Sequence, residues 1–222
     1  MIQEIFPIEN QEEIRILSEI AKIRCYEKGE SIYTIGEIQK NIYIILSGIV
    51  YSYFIDETQS IITDCFITER GFPVNTENFK LPSMFTTQAL VNTELLEIPI
   101  DAALDLMQKF QELLWEYVRF MQMAMTFHWY IANKRIHSPA NKKYKWFRET
   151  WPEVDAVASN QQTASFLGIR PESLSRLRHQ AKVTDGKSVQ EEDVDIMVTK
   201  DLKWNYPRIG KALKKCCGQV FL

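Results

Sequence analysis

The chain has 222 residues, 26 Lys and Arg against 29 Asp and Glu, and 45% hydrophobic residues. This is the composition of a soluble globular protein able to bury a sizeable core as one large domain or two small ones. No apolar run approaches membrane-spanning length, and the acidic start MIQEIFPIENQEEI lacks the basic-then-apolar order of a secretion signal, so a cytoplasmic protein is expected. Cys25 and Cys65 stand alone and Cys216-Cys217 are adjacent, a spacing that fits neither zinc nor an iron–sulfur cluster. No metal and no cofactor are expected.

The net charge of −3 conceals a division. Through Ile131 there are 9 Lys and Arg against 19 Asp and Glu, whereas Ala132 to Lys182 holds 10 against 4. An evenly acidic protein would repel nucleic acid. Gathering the cations in one segment is what phosphate neutralisation requires.

In chain order, Glu4 to Ala21 reads as a short helix, with Ile14, Leu17, Ile20 and Ala21 at helical spacing. From Cys25 to Phe66 the sequence is rich in Ile, Tyr, Val, Phe and Thr and is cut by Gly29, Gly36 and Gly48, the pattern of short antiparallel strands. Asn41 to Leu46 is long enough for a core strand, Ser47-Gly48 turns it into Ile49 to Ile55, and Asp56-Glu57-Thr58 makes the next turn. Leu95 to Ile100 closes the sheet.

Asp101 then caps a long helix without Gly or Pro from Ala102 to about Ile136. Leu106, Phe110, Leu113, Tyr117, Phe120, Ala124, Phe127 and Ile131 form a heptad seam, read as a dimer interface. A second stripe, Met107, Leu114, Val118, Met121, Met125 and Trp129, runs beside it. Two stripes suit a helix packed against its own sheet and against a second subunit; a helix central to one monomer is the alternative. His128 and His137 are too far apart for a ligand pair. Ser138-Pro139 opens a helix to Glu149 in which Lys142, Lys143 and Lys145 are candidates for phosphate contact, while Tyr144 and Phe147 face a core.

Asn160 to His179, NQQTASFLGIRPESLSRLRH, fixes a local shape. Ala164 is small enough for close crossing, Gly168 permits a positive φ, and Leu174 and Leu177 pin a second helix whose first turn accepts Pro171. That spacing is the one a helix-turn-helix needs, with an ordinary αα-hairpin as the alternative. Its outward face carries Glu172, Ser173, Arg176 and Gln180 for base edges. Gln161, Gln162, Arg170, Ser175 and Arg178 are placed for phosphates.

The succession EKGESIYTIGE, NIYIILSGIVYSYF, LLEIPI, a long helix and LGIRPESLSRLR resembles the cyclic-AMP receptor/FNR (Crp/Fnr) superfamily of bacterial transcription regulators. The likeness runs from about Ile5 to Gln180, and Tyr43 to Gly48 and Ala164 to Arg178 are its most specific parts. It implies an α+β protein: an antiparallel β-roll of cyclic-nucleotide-binding, jelly-roll type over 1–100, a dimerisation helix over 101–136, and a helix-turn-helix domain, winged in many members, over 137–182. It also implies a homodimer on a roughly palindromic double-stranded DNA site, with RNA polymerase as a further partner and no membrane. Residues 183–222 have no counterpart, although Lys182 to Val189 carries a weak hairpin signal for a wing.

The sensor region departs from the family pattern. Members that bind cyclic nucleotides carry Gly-Glu and Arg-Ser/Thr pairs. Here Gly71 precedes Phe72, and the position of the expected Arg falls near Ser83. Phe79, Leu81, Ser83, Met84 and Phe85 suggest a pocket for another, apolar effector, or a core that senses nothing. In place of an Arg that family members use to read bases stands Pro171, so their base preference does not carry over. Two other classes remain to be weighed. One is a ligand-binding β-roll whose C-terminal domain binds protein instead of DNA. The other is a cupin-type enzyme, disfavoured because all three histidines, His128, His137 and His179, lie outside the strands.

Overall fold

The computed structural model describes residues 2–69, 71–73 and 80–184. Two compact units are present, one drawn from Met1–Phe54 and Cys65–Trp129, the other from Ile55–Asp64 and the residues after Trp129. The single helix expected from Glu4 is instead two, α1 (Ile2–Ile5) and α2 (Gln11–Ile20). Pro7 lies in the gap, and Asn10 opens α2 by accepting hydrogen bonds from the N–H groups of Glu12 and Glu13 at 3.0 and 3.1 Å.

Among the described residues seven strands follow: β1 (Lys22–Tyr26), β2 (Ser31–Tyr33), β3 (Asn41–Ser47), β4 (Val50–Ile55), β5 (Ile61–Ile67), β6 (Thr86–Ala89) and β7 (Thr93–Pro99). They make two sheets, ordered β1-β7-β3 and β2-β6-β4-β5, as an antiparallel β-roll. The unbroken apolar run of β3 has a structural cause. Successive side chains of a strand point to opposite faces. Ile42 and Ile44 join Leu96 and Ile98 of β7 in a core with the helices, while Tyr43 and Ile45 join Val50, Ile67 and Leu95 in a second core. Both faces of β3 are buried, so neither face alternates to polar residues.

The Ser47-Gly48 turn carries a constraint that composition alone does not reveal. Gly48 has φ +96°, and a Cβ there would lie 2.4 Å from Thr93 Oγ1 and 2.7 Å from the Asn92 carbonyl oxygen. Glycine is demanded twice, by conformation and by space.

The long helix is interrupted. α3 (Ile100–Lys109) starts after Pro99, with no side-chain cap and with Asp101 inside its first turn, and it ends at Phe110, whose backbone is extended at φ −126°, ψ 130°. α4 then runs Gln111–His137. The Phe110 break has no Gly or Pro to announce it; its cause is tertiary. Glu13, wholly buried, accepts a hydrogen bond from the Leu113 N–H at 2.9 Å, capping the start of α4 from α2. Glu112 Oε2 in turn accepts from the N–H groups of Glu9 and Asn10 at 2.7 and 3.2 Å. Burial pushes the Glu13 carboxyl above the usual carboxylate range.

Replacing Gly48 with Ala should therefore destabilise the first unit by about 2–4 kcal/mol, combining left-handed strain with the steric clash. Gly168→Ala, where φ is +61° but nothing lies within 4 Å of the added Cβ, should cost only about 1–2 kcal/mol. Denaturant unfolding followed by circular dichroism ranks the two.

Candidate nucleic-acid interface

The basic part of the chain forms four further helices: α5 (Ala140–Thr150), α6 (Pro152–Val157), α7 (Asn160–Leu167) and α8 (Pro171–Thr184). α5 begins one residue later than expected, with Pro139 rather than Ser138 at the cap position. α6 was not foreseen: Trp151-Pro152 ends α5, as expected, and Pro152 is then the first residue of a new helix, a position it favours. The core of this unit is aromatic. Phe166 lies 5.6 Å from Phe147 and 5.7 Å from Trp151 between ring centroids, and Trp146 lies 5.3 Å from Trp151.

The join between α7 and α8 is as tight as the spacing requires. Ser159 and Gln162 form a capping box at the start of α7. Gly168 adopts the left-handed conformation at φ 61°, ψ 44°, and the Ile169 N–H reaches the Ala164 carbonyl at 3.0 Å, closing a Schellman turn. Ala164 and Leu174 are fully buried at the crossing, and Leu177 is half-buried. Asn160 Nδ2 donates to the Pro171 carbonyl at 2.8 Å, tying the two helix starts together.

Of the residues expected to meet DNA, Gln161, Arg170, Glu172, Ser175, Arg176 and Gln180 are exposed, while Ser173 is half-buried. Gln162 is half-buried, and its side-chain oxygen is engaged by the Ser159 N–H at 2.9 Å. Arg178 is placed differently from the expectation. Its Nη2 reaches Asp155 Oδ1 at 2.8 Å and Thr163 Oγ1 at 3.2 Å, and Tyr144 donates to the other Asp155 oxygen at 2.9 Å. A guanidinium so engaged fastens α8 to α6 and α7. Burial, then the hydrogen bond to Asp155, raises the Tyr144 phenol. Lys142 and Lys145 of α5 are exposed, and Lys143, half-buried, is lowered by burial and by Arg135.

The turn between β4 and β5, expected at Asp56-Glu57-Thr58, belongs to this unit, a placement that sequence reasoning missed. Ser165 Oγ accepts from the Thr63 N–H at 2.9 Å and donates to the Ile61 carbonyl at 3.3 Å. No local pattern announces a contact about a hundred residues apart.

The other expected sites also shift. Within the heptad seam Leu106, Leu113, Phe120, Phe127 and Ile131 are buried in the single chain, and Phe110, Tyr117 and Ala124 are half-buried. In the second stripe Met107 is buried and Val118 and Met121 are half-buried, while Leu114, Met125 and Trp129 are 39%, 54% and 67% exposed. Of the residues expected at an effector pocket, the four described ones are placed apart in exposure. Leu81 and Met84 are exposed, the latter 72%, and the Phe85 ring stacks edge-on against Phe54 at 5.9 Å. Ser83 is buried, its hydroxyl donating to the Phe85 carbonyl at 2.6 Å. Phe79 lies outside the described residues, as does nearly all of the segment with the weak wing signal; Lys182 to Thr184 continue α8. Among the described residues no group of three or more His, Cys, Asp or Glu could hold a metal ion, and no helix is long and apolar enough to cross a membrane.

Residues 23–110 match the cyclic nucleotide-binding domain. The structure is similar to FixK2 from Bradyrhizobium japonicum, with 15% identity over 78% of this chain and 90% of that one and a TM-score of 0.66. A protein from Eubacterium rectale assigned to the Crp/Fnr family of transcriptional regulators is similar at 14% identity over 89% and 95% of the two chains, TM-score 0.63. The c-di-GMP responsive global regulator CLP of Xanthomonas campestris is similar at 13% identity over 82% and 96%, TM-score 0.61. The fold is that of the Crp/Fnr superfamily. No curated protein sequence matches the chain. Within this Crp/Fnr fold, the matched domain ends at the Phe110 break.

Arg178→Ala should lower the stability of the second unit by about 1–3 kcal/mol, because it strands a half-buried Asp155. Arg170→Ala, at an exposed position, should change it by less than about 0.5 kcal/mol. Thermal unfolding of both variants separates an anchoring arginine from a surface one.

Proposed function

We propose that the chain is a homodimeric, sequence-specific DNA-binding transcription regulator of the Crp/Fnr type. The observation that carries the reading is the α7–α8 pair, a helix-turn-helix by its left-handed Gly168 and its buried Ala164 and Leu174. Its second helix presents Glu172, Arg176 and Gln180 at successive steps of four on an exposed face. In the major groove Arg176 grips a guanine through O6 and N7, and Glu172 accepts from a cytosine amino group. Gln161, Arg170 and Ser175 contact phosphates, joined by Lys142 and Lys145 of α5, while Ser173 contributes at the edge of the base-reading face. The surplus of cations between Ala132 and Lys182 supplies the attraction.

The dimer forms through the open stripe of α4, Leu114, Val118, Met121, Met125 and Trp129, in place of the buried seam. Two recognition helices about one DNA turn apart then read a roughly palindromic site. The β-roll works without the usual cyclic-phosphate grip, a reading supported by Phe72 in the place of Glu and by a buried, neutral, internally bonded Ser83 where the cation is expected.

Mobility shift of random duplexes, followed by sequencing of the bound fraction, should yield a two-fold symmetric motif with affinity falling steeply as salt rises. Arg176→Ala should relax the preference at one base pair per half-site and cost about 1–3 kcal/mol. Uniform weakening with an unchanged motif would assign Arg176 to the backbone, and no shift at low salt would end the reading. Met125→Glu with Trp129→Glu should turn a dimer into a monomer in analytical ultracentrifugation, because charge placed on that stripe must be desolvated on pairing.

A further inference from the structure

The second unit carries a stretch of the opposite sign. Ile55–Asp64, IDETQSIITD, holds Asp56, Glu57 and Asp64 with no Lys or Arg, and it packs in the same unit as the cation-rich part of the chain. We infer that this hairpin tip is an autoinhibitory clasp: through the Ser165 hydroxyl it holds its carboxylates on the side of α7 proposed to meet DNA, and DNA binding is weakened until it lets go. The inference rests on the DNA-binding reading and adds a restraint to it.

The clasp is built on a strand edge. β5 ends the order β2-β6-β4-β5, so one side of it has no neighbouring strand among the described residues. Along a strand alternate residues point their N–H and C=O groups the same way, and on an open edge those groups need partners. A single hydroxyl serves two of them. Ser165 Oγ accepts from the Thr63 N–H at 2.9 Å and donates to the Ile61 carbonyl at 3.3 Å. Thr63 is fully buried, which leaves its amide dependent on that oxygen. The attachment is otherwise shallow: Ile55 and Ile61, at the two ends of the turn, are 49% and 46% exposed. Two hydrogen bonds to one neutral hydroxyl are weak enough for a competing ligand to displace.

Position decides the sign of the effect. Ser165 follows Gln161 by four residues, so the two share a face of α7, about 6 Å apart along its axis. Gln161 is the residue proposed to meet phosphate at the start of that helix. Asp56 is tied to Ser60, next to Ile61, by a backbone hydrogen bond of 3.0 Å and by the Ser60 N–H reaching Asp56 Oδ1 at 2.9 Å. Its carboxylate therefore travels with the Ser165 contact. A phosphate at the start of α7 then lies roughly 10 Å away, close to the screening length, and is repelled. Without DNA the same carboxylates are drawn to the surplus cations of the unit, which favours the docked tip; phosphates compete for those cations.

Fluorescence anisotropy of the full chain with a labelled random-sequence duplex of about 40 base pairs, at about 50 mM salt, tests this. Ser165→Ala should tighten binding about three- to tenfold. Asp56→Asn with Glu57→Gln should tighten it about as much; Asn keeps the side-chain oxygen that accepts from the Thr58 and Ser60 N–H groups. Joining all three substitutions should gain no more than the larger effect alone, because an unclasped tip no longer holds its charges near the duplex. In hydrogen exchange, the wild-type Thr63 amide should lose about tenfold in protection when duplex is added. The charge pair sits on a largely exposed turn, so it and the exchange measurement decide the matter should Ser165→Ala fail to fold. The clasp is overturned if the variants bind like the wild type or more weakly, if the two effects simply add, or if duplex leaves Thr63 as protected as before. Failure of wild type and variants alike to bind ends the DNA-binding reading and the clasp together, whereas a wild type that binds beside variants that bind no tighter ends the clasp alone.

Discussion

The hydrogen bond from the Leu113 amide to the Glu13 carboxylate organises the first unit. The opening amides of a helix have no partner within it, and here the missing acceptor comes from a helix a hundred residues earlier in the chain. With that cap in place the backbone extends at Phe110 and restarts as α4. The rotation of α4 is thereby set: Leu113, Phe120 and Phe127 turn inward, and the methionine and tryptophan stripe stays open. The same cap brings Glu112 beside the N–H groups of Glu9 and Asn10 and leaves Glu116 one turn along, buried.

The second unit is held by different means. An aromatic cluster around Phe166 fills it, and the Arg178–Asp155–Tyr144 network locks α8 against its neighbours. Such a network fixes the orientation of α8 and engages a cation that sequence alone assigns to phosphate contact. The remaining exposed cations, Arg170, Arg176, Lys142 and Lys145, still leave the unit electropositive. The first unit is strongly acidic, so the positive charge is confined to one part of the chain.

What could be read in advance was local. Ala164, Gly168 and Leu174 define their turn within a dozen residues, and the structure has the same turn. Likewise, β3 and β4 and the glycine turn between them follow from a short apolar run and Gly48. What could not be read depends on residues far apart. Nothing near Phe110 marks a break, because its cap is Glu13. The two apolar stripes of α4 carry equivalent patterns, and only the packing of α2, β3 and β7 decides which one faces inward. Arg176 and Arg178 look alike in sequence; the carboxylate waiting at Asp155 tells them apart. The residues expected at an effector pocket were hard to place for a related reason, since apolar side chains such as Met84, here 72% exposed, suit a pocket wall or open surface alike.

The capping by Glu13 also bears on how the protein can be divided. The segment that matches the family model spans 23–110, which omits both Glu13, the acceptor of the cap, and the helix whose Leu113 N–H it accepts from. A fragment trimmed to that segment would lose the cover over Ile42, Ile44, Leu96 and Ile98, and a tag fused close to Met1 would crowd the segment that carries Glu9 and Asn10. The smallest portable form of this β-roll begins upstream of the segment by which it is recognised.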